Sequence, residues 1–363
     1  MTSTDLRLLF LREQFNHMGR HSGYDLLFTE VERLQFATCY SLARNPNQRL
    51  PRGSTRLSNY LLRGASPAAA HTPQSTLLEW RAWEFAQKHA IDIIHVGYLE
   101  QHYGYLQRKQ QAGKTKVVAS VHQPASGWKN KRFGNPAMVR SLDGLIVLCK
   151  QDCSYFTQWL PKEKIHFVPH GIDTEFFSPA DRPLPKQETV RGIFAGHWLR
   201  DFDVLVKVVD DVMQQHPGVH FDLVIPAKAA LTPANAMRLL RYPRVVLHQN
   251  ISDETLVNLY RGASFVLMPL LDSTANNVLL EGMACGLPVI ATDVGGVVDY
   301  VDASFADLIP PNDIQGMVEK VLTIAAQPEE SKRRGQAARD FAVKHFSWPV
   351  VAQQMSRVYQ QLG

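Results

Sequence analysis

The stretch Asp272-Ser-Thr-Ala-Asn-Asn-Val-Leu-Leu-Glu-Gly-Met-Ala-Cys-Gly-Leu-Pro-Val-Ile-Ala-Thr-Asp-Val-Gly-Gly296 predicts a loop, a helix and a strand in succession. It follows the apolar run Phe265-Val-Leu-Met-Pro269, which has the composition of a buried strand. The Ser-Thr pair at 273–274 suits a helix N-cap, and the helix is expected to run to Cys285 and end at Gly286. A strand, helix and strand in this order indicate a parallel α/β sheet.

The start of this helix also predicts a binding site. Backbone N–H groups of residues 275–278 lack partners within the helix, and the positive end of the helix dipole favours a diphosphate there. Glu281 lies one to two turns further in, where its carboxylate can accept hydrogen bonds from vicinal sugar hydroxyls. A helix-dipole anion without a ligand is the alternative interpretation of Glu281.

Short apolar runs recur along the whole chain with helical stretches between them. Five lie in the first half, at 6–11, 91–96, 116–121, 144–148 and 165–168, and five in the second, at 191–195, 220–225, 245–248, 264–268 and 288–292. Continuous apolar runs are typical of parallel strands that are covered on both faces. The fold class is therefore α/β, with two Rossmann-like sheets.

A proline-rich stretch separates the two sets of strands. Residues 178–188 contain three prolines and mostly polar side chains, which is the composition of a linker. The domain boundary is predicted near residue 185, giving domains of residues 1–185 and 186–347. A final amphipathic helix, at residues 348–363, follows Phe346-Ser-Trp348.

Length and charge limit the possible classes of protein. The 363 residues suffice for two domains, and the net charge of +5 divides into +8 for residues 1–185 and −3 for the rest. Four scattered cysteines and no long apolar segment predict a cytoplasmic protein, which could still lie peripherally at the inner face of a membrane. The basic half is expected to face an anionic molecule or a membrane surface, and nucleic acid is not the expected partner.

Residues 41–76 predict an insertion with a basic face. They contain five arginines together with apolar Leu57, Tyr60, Leu61 and Leu62. A solvated loop and helix is one interpretation of this composition. A surface for anionic lipid or for a phosphorylated acceptor is the other.

The segment Leu280-Glu-Gly-Met-Ala-Cys-Gly-Leu-Pro-Val289 resembles the retaining glycosyltransferases of the GT-B fold, specifically glycosyltransferase family 4, also called group 1. The resemblance extends over nearly the whole chain in ordered passages, at 92–95, 119–122, 165–179, 196–200, 251–256 and 346–348.

The resemblance implies a fold and an activity. The two domains are expected to face a central cleft, with the C-terminal helix crossing back to the first domain. The implied reaction is metal-independent and moves a sugar from a nucleotide sugar to an acceptor hydroxyl with retention of anomeric configuration. The product belongs to glycan, glycolipid or polysaccharide synthesis, and no cofactor is expected besides the nucleotide-sugar co-substrate.

The resemblance implies that the donor binds at the start of the helix after Ser273, where this sequence departs from the family at one position. Glu281 is expected to bind the ribose, and Val278 contributes to the phosphate-binding helix start. Ser273 stands where family members carry a second Glu that contacts the transferred sugar. Asp272 is the expected catalytic replacement, or else a helix-start anion. Residues 276 and 277, both asparagines, are expected to hold sugar hydroxyls as neutral partners.

A second departure follows the first strand of the later domain. Family members carry an Arg and a Lys for the diphosphate, whereas here His197 and Phe202 occupy these positions. Arg200 is expected to replace that Arg and Lys as the positive charge that neutralises the donor diphosphate, and so to act in catalysis. The alternative is a surface Arg paired with Asp201 or Asp203. The Asp-x-Asp spacing of the latter two is expected to begin a helix and not to hold a metal.

The remaining candidates lie in the first domain. They belong to the glycine-containing loop after the first apolar run and to the end of the third run, at 116–121. Gly19 is expected to contact the donor, and Arg20 and Tyr24 to face the acceptor or phosphate. His122, at the carboxyl end of a strand, is assigned to the donor sugar or the reacting phosphate, with a backbone-satisfied core histidine as the alternative. Lys129 guides an anionic acceptor or belongs to a solvated turn.

Two other functions remain open for this sequence. A nucleotide-sugar epimerase of the same architecture needs acid and base residues on both sides of the sugar ring. A non-catalytic nucleotide-sugar-binding homologue is suggested by Ser273 and Phe202, which replace family residues that carry charge.

Overall fold

Continuous apolar strands and amphipathic helices assemble the chain into two α/β units. The computed structural model describes residues 6–13, 15, 19–44, 50–109, 114–180, 189–227 and 231–363. The first unit comprises Met1–Met18, Gly23–His170 and Trp348–Gly363, and the second comprises Gly19–Ser22 and Gly171–Ser347. The boundary predicted near residue 185 lies outside the described residues, and those at 171–180 group with the second unit.

The first unit contains a six-stranded parallel sheet of order β2-β1-β3-β4-β5-β6. Its strands are β1 (Arg7–Glu13), β2 (Thr38–Arg44), β3 (Ile93–Val96), β4 (Lys116–Val121), β5 (Gly144–Val147) and β6 (Ile165–Phe167). All residues of β3 and β5 are buried. This explains their unbroken apolar composition, because a parallel sheet has helices on both faces.

In the described ranges, six α-helices lie between the strands of the first sheet in sequence. They are α1 (Leu26–Arg33), α2 (Ser54–Leu61), α3 (Pro73–His89), α4 (Leu106–Lys109), α5 (Ala125–Lys129) and α6 (Lys150–Phe156). The longest, α3, begins with a capping box in which Thr72 and Ser75 satisfy each other's backbone N–H groups. It ends at Ala90, whose φ of 50° breaks the helix.

The second unit contains another six-stranded parallel sheet, of order β12-β11-β10-β7-β8-β9. Its strands are β7 (Arg191–Ala195), β8 (His220–Val224), β9 (Val245–His248), β10 (Phe265–Met268), β11 (Val289–Thr292) and β12 (Ala306–Ile309). The chain proceeds outward in both directions from the neighbouring strands β7 and β10. In open parallel sheets ligands bind at the carboxyl ends of strands where the order reverses in this way.

The helices of the second unit are α7 (Phe202–Gln215), α8 (Pro233–Leu240), α9 (Asp253–Gly262), α10 (Asn277–Ala284), α11 (Ile314–Ala326) and α12 (Pro328–Phe346). Every residue of α10 except Asn277 is buried. This helix connects β10 to β11, as the opening stretch of sequence predicts.

The last helix, α13 (Trp348–Leu362), belongs to the first unit although it follows the second in sequence. It packs against α1, and the Tyr359 hydroxyl lies 2.5 Å from His95 Nδ1 in β3. Within the described part of the chain, no helix has the length and apolar character needed to cross a bilayer.

Two strands of the structure are absent from the sequence prediction. The edge strand β2 includes residues 41–44, which the sequence assigned to an insertion, and β12 forms the opposite edge of the second sheet. In β2 no residue is fully buried, so it lacks the apolar run by which the inner strands were recognised.

Candidate functional site

The start of α10 is held by Asn276, which corrects the expected cap at residues 273–274. Asn276 Oδ1 accepts a hydrogen bond from the backbone N–H of Val278 at 3.1 Å. Its amide nitrogen, Nδ2, is buried and has no hydrogen-bond partner among the described residues. A buried donor without a partner costs free energy, so this amide suits an anionic or hydroxyl-bearing ligand.

Ser273 and Asp272 form the loop that enters this helix. Ser273 is buried, and its carbonyl accepts a hydrogen bond from Gly296 N–H at 2.7 Å. A Cβ added to Gly295 would lie 2.2 Å from the Ser273 carbonyl oxygen, so this close approach of two backbone segments requires glycine. Asp272 Oδ1 accepts the N–H of Ser273 at 2.7 Å. The carboxylate thus helps to hold the loop, four residues before the N-cap of α10.

Arg200 lies beside the same helix start. Its guanidinium donates to the carbonyls of Ala195 and Trp198 at 3.1 and 3.0 Å and to Asn276 Oδ1 at 3.3 Å. It also lies over Gly196, where an added Cβ would be 3.0 Å from Nη2. Desolvation lowers the pKa of Arg200 to about 10, so the side chain remains a cation at neutral pH.

The neighbouring candidates have other roles. Asp201 caps α7 by accepting the N–H of Val204 at 3.0 Å, and Asp203 accepts from the Asn235 side chain at 3.1 Å. Arg200 therefore donates to two carbonyls and an amide oxygen and does not take up the expected pairing with these carboxylates. His197 is exposed in the turn before α7.

Glu281 is buried, and both of its carboxylate oxygens accept hydrogen bonds. Ser22 Oγ donates to Oε1 at 2.6 Å, and the Tyr260 hydroxyl donates to Oε2 at 2.7 Å. Burial raises the pKa of Glu281 to about 7, opposed by these two hydrogen bonds and by the charge of Arg200. Glu281 is therefore a carboxylate that already binds hydroxyl groups in a dry environment.

The segment 19–22 contacts the same region and is grouped with the second unit. Asn277 Nδ2 donates to the Ser22 carbonyl at 2.8 Å. The Arg20 N–H donates to Asp253 Oδ2 at 2.9 Å, while a Cβ added to Gly19 would lie 2.2 Å from Asp253 Oδ1. Gly19 therefore allows the backbone to approach a carboxylate closely, and the Arg20 side chain is exposed.

His122 follows β4 in the first unit and is held on several sides. Its Nε2 lies 2.8 Å from the Gly97 carbonyl, which selects the tautomer with a proton on Nε2. Glu100 Oε1 accepts the backbone N–H of His122 at 2.8 Å. The rings of Tyr98 and Tyr24 lie 4.0 and 4.5 Å away, stacked and edge-on respectively. Burial lowers the pKa of His122 to about 3, so the imidazole is neutral.

The other first-unit candidates differ in exposure. Tyr24 is fully buried, its hydroxyl lies 2.9 Å from Ser120 Oγ and its ring packs edge-on against His122. It is therefore not exposed, whereas it was expected to face the acceptor or phosphate. Lys129 ends α5, is exposed, and lies with Nζ 5.8 Å from the centre of the Tyr155 ring.

Three residues of these sites were not singled out from the sequence. Tyr260 and Ser22 bind Glu281, and Glu100 binds the backbone of His122. Ser22 lies in the glycine-containing loop that the sequence did indicate. Tyr260 and Glu100 carry no local signal, because a tyrosine in a helix and a glutamate after a strand are common surface residues.

Two domain families match this chain in succession. Residues 39–176 match the family described as Glycosyltransferase Family 4, and residues 190–327 match the one described as Glycosyl transferases group 1. Together the matched ranges cover most of the chain.

Curated relatives include two enzymes named D-inositol 3-phosphate glycosyltransferase. The Saccharomonospora viridis protein is 24% identical over 333 residues, which are 83% of this chain and 77% of the relative. The Segniliparus rotundus protein is 28% identical over 62% of this chain and 54% of its own length.

Solved structures with the same fold cover almost the whole chain. A sucrose-phosphate synthase from Thermosynechococcus elongatus has a TM-score of 0.71 and 19% identity, over 98% of this chain and 99% of its own. Anabaena HepE in complex with UDP-glucose has a TM-score of 0.68 and 17% identity, over 98% and 100% of the two chains. With two six-stranded parallel sheets and both family domains matched in order, the chain has the GT-B fold and belongs to the glycosyltransferases of family 4, also called group 1.

Proposed function

We propose that the second unit binds a nucleotide-sugar donor at the start of α10 and that the sugar is transferred with retention and without a metal ion. The observation that carries this proposal is the meeting of Glu281, Arg200 and the buried Asn276 amide at one helix start. Glu281 binds ribose hydroxyls, and Arg200, Asn276 and the N–H groups of the helix start bind the diphosphate.

The leaving diphosphate gains negative charge as the glycosidic bond breaks. Arg200 is fixed by three acceptors and requires no reorganisation, so its positive charge stabilises this transition state in place of the family's Arg and Lys. In this proposal the helix start and Arg200 together neutralise the negative charge of the leaving diphosphate, as a metal ion does in other phosphate-transfer sites. His197 lies three residues before Arg200, in the turn that precedes α7, and is proposed to contact the diphosphate as well.

Ser273 cannot act as a carboxylate at the position next to the transferred sugar. We therefore favour attack of the acceptor hydroxyl on the same face from which the diphosphate leaves. The bond from the anomeric carbon to the phosphate oxygen breaks, the bond to the acceptor oxygen forms, and the departing phosphate oxygen takes the acceptor proton. Asp272 stabilises positive charge at the anomeric carbon, and neutral His122 accepts a hydrogen bond from the sugar.

Uridine is the base to test first, because HepE, of the same fold, was solved with UDP-glucose and with UDP. The acceptor is a glycan, a lipid or a small molecule, and Arg20 and Lys129 are exposed cations suited to an anionic one. The basic N-terminal half is proposed to lie against an anionic membrane surface.

The deciding experiment combines binding with turnover. UDP, GDP and ADP are compared by their effect on the melting temperature, since a ligand at about 100 times its dissociation constant stabilises the folded state by about 2.7 kcal/mol. Transfer from the sugar form of the best nucleotide is then measured for wild type, Glu281→Ala and the exposed control Glu254→Ala. We expect only Glu281→Ala to lose nucleotide binding and transfer while remaining folded.

Unchanged transfer in Glu281→Ala contradicts the donor site. Tight nucleotide binding without turnover across many acceptors indicates the non-catalytic alternative, which Ser273 and the buried Phe202 favour. An epimerised sugar nucleotide, formed with no acceptor present, indicates the epimerase.

A further inference from the structure

Helix α2 exposes two of its apolar side chains and buries two of its serines, while Leu61 at its end is half-buried against the core of the first unit. Its two buried residues are Ser54 and Ser58, and Ser58 Oγ lies 2.8 Å from Thr76 Oγ1. Leu57 and Tyr60, three residues apart, are 43% and 61% exposed. A helix on a protein surface normally buries its apolar side chains, so this exposure indicates a surface that is covered by something else.

A groove of about 460 Å³ lies between the start of α2, the end of β2 and the first turns of α3. Leu57, Leu77 and Trp80 form much of its apolar lining, and Trp80 is itself 37% exposed. Arg52 and Arg81 also line the groove, and both are exposed. The groove thus combines apolar depth with cationic side chains that water can reach.

The charged side chains that line this groove, among the described residues, are all arginines: Arg44, Arg52 and Arg81. Residues 41–78 contain five arginines and no aspartate or glutamate. Arg56 and Arg63 are exposed on and just after α2, and the Arg63 guanidinium lies 5.2 Å from the centre of the Tyr60 ring. An exposed apolar face flanked by several arginines is complementary to an apolar partner with negative groups at its surface.

We propose that this surface, which comprises α2 and the groove lined by Leu57, Trp80, Arg52 and Arg81 and is named here the α2 face, docks on an anionic phospholipid bilayer. Leu57, Tyr60 and Trp80 enter the interface, where aromatic rings with a polar edge are favoured. The arginines bind lipid phosphates, as juxtamembrane basic residues do. The proposal specifies the membrane surface of the proposed function, but it concerns binding alone and needs no sugar transfer.

The first test measures co-sedimentation of the full chain with vesicles, in the absence of nucleotide. Vesicles of phosphatidylcholine with phosphatidylglycerol are compared with vesicles of phosphatidylcholine alone. The double variant Leu57→Ser, Tyr60→Ser is expected to bind the anionic vesicles at least about tenfold more weakly than wild type, because two apolar side chains no longer enter the interface.

A matched control exists on α8 of the second unit. Met237 and Leu240 have the same spacing of three residues and are 75% and 53% exposed. Met237→Ser with Leu240→Ser removes a comparable apolar area and is expected to leave vesicle binding unchanged. An equal loss in both double variants, or a wild type that binds neither kind of vesicle, overturns the proposal.

The charge is tested separately. Arg52→Ala with Arg81→Ala is expected to weaken binding to anionic vesicles about 25-fold at low salt, since each basic residue near such a surface contributes about a fivefold factor. Lys332→Ala with Arg333→Ala makes the same change in net charge on exposed α12 positions and serves as the control. Wild-type binding to neutral vesicles that equals binding to anionic ones overturns the assignment to anionic lipid.

A second copy of this chain is the competing occupant. Sedimentation velocity of wild type and of Leu57→Ser, Tyr60→Ser is expected to give the same oligomeric state, and dissociation by the variant overturns membrane docking. Failure of the proposed function is distinguishable. Glu281→Ala should lose nucleotide stabilisation and keep vesicle binding, whereas the α2 variant should do the reverse.

Discussion

Glu281 combines burial with two hydroxyl donors, and this makes its charge sensitive to pH near neutrality. Its pKa is raised to about 7 by desolvation in the ligand-free chain. In the proposed donor site, ribose hydroxyls that donate to the carboxylate would favour its ionised form, so we expect donor binding to lower this pKa and to release a proton. The donor therefore binds more tightly as the pH rises through 7.

We expect the affinity for UDP-glucose to increase about tenfold between pH 6 and pH 8, as measured by titration calorimetry. One pH unit below a pKa corresponds to a tenfold loss of the ionised form. UDP-glucose is the suitable probe because its diphosphate does not titrate in this range. The Glu281→Gln variant should bind more weakly and with a flat profile; a variant that keeps the wild-type slope contradicts the assignment.

The same pKa shift affects stability with the opposite sign. A carboxyl whose folded pKa is raised stabilises the fold below its unfolded pKa, and this stabilisation is lost as the pH rises through the folded value. For Glu281 the free energy of unfolding should fall between about pH 4.5 and 7 in the absence of donor. Glu281→Gln removes this residue's part of the decline, and denaturant unfolding at several pH values measures it.

At the residue level, the sequence could indicate chemistry but not contacts. Glu281 was found because a strand, loop and helix in consecutive order place it near a helix start. Arg200, which follows a different strand, was assigned from the family resemblance as the cation nearest to His197 and Phe202. Ser22 and Tyr260 were not found as partners of Glu281. Ser22 lies 259 residues away in sequence, and such contacts depend on the packing of a loop whose path no local pattern specifies.

At the scale of elements, the start of α10 has two functions that one substitution can separate. Asn276 caps the helix through Oδ1, while its buried Nδ2 is available for the donor diphosphate. Asn276→Asp retains an oxygen for the Val278 N–H but replaces the amide donor with a negative charge. We expect it to keep the melting temperature close to wild type and to weaken UDP binding at least about tenfold, because a carboxylate repels the diphosphate.

Asn276→Ala is the matched variant, since it removes both functions. It should lower the free energy of unfolding by about 1 kcal/mol, the usual contribution of an N-cap, and also weaken UDP binding. Denaturant unfolding and calorimetry measure the two effects. If Asn276→Asp binds UDP as wild type does, the amide has only a structural role.

Elements were predictable where they are buried on all sides. The inner strands β3, β5, β7 and β10 were recognised from unbroken apolar runs, whereas β2 was not, because it is an edge strand with no fully buried residue. Helix α2 was covered only by the general expectation of a loop and helix within residues 41–76, without bounds. Its outward Leu57 and Tyr60 do not follow the pattern of a helix that packs on its own core.

At the scale of the molecule, two sheets and their parallel topology follow from the sequence, but the path of the chain between units does not. The terminal helix α13 belongs to the first unit, and so does His170, just before the second unit begins. The expectation for α13 came from the family resemblance. The amphipathic periodicity of α13 indicates that its apolar face is buried, but only the tertiary structure shows that it packs against α1 of the first unit.

The connection of α13 to the first sheet provides a last prediction. Tyr359 hydroxyl, His95 and Ser120 form a buried hydrogen-bonded chain, with distances of 2.5 Å from His95 Nδ1 and 2.8 Å from its Nε2. Tyr359→Phe keeps the ring and leaves a buried nitrogen without its partner, which costs about 1–3 kcal/mol. Amide hydrogen exchange should therefore become about tenfold faster in β3, β4 and α13 and stay unchanged in the second unit. The control Tyr242→Phe removes a tyrosine hydroxyl that donates to Asp210 in the second unit, and it should accelerate exchange there and not in the first unit. Acceleration spread evenly over both units by Tyr359→Phe contradicts the prediction, because it means that α13 stabilises the whole chain and not the first sheet.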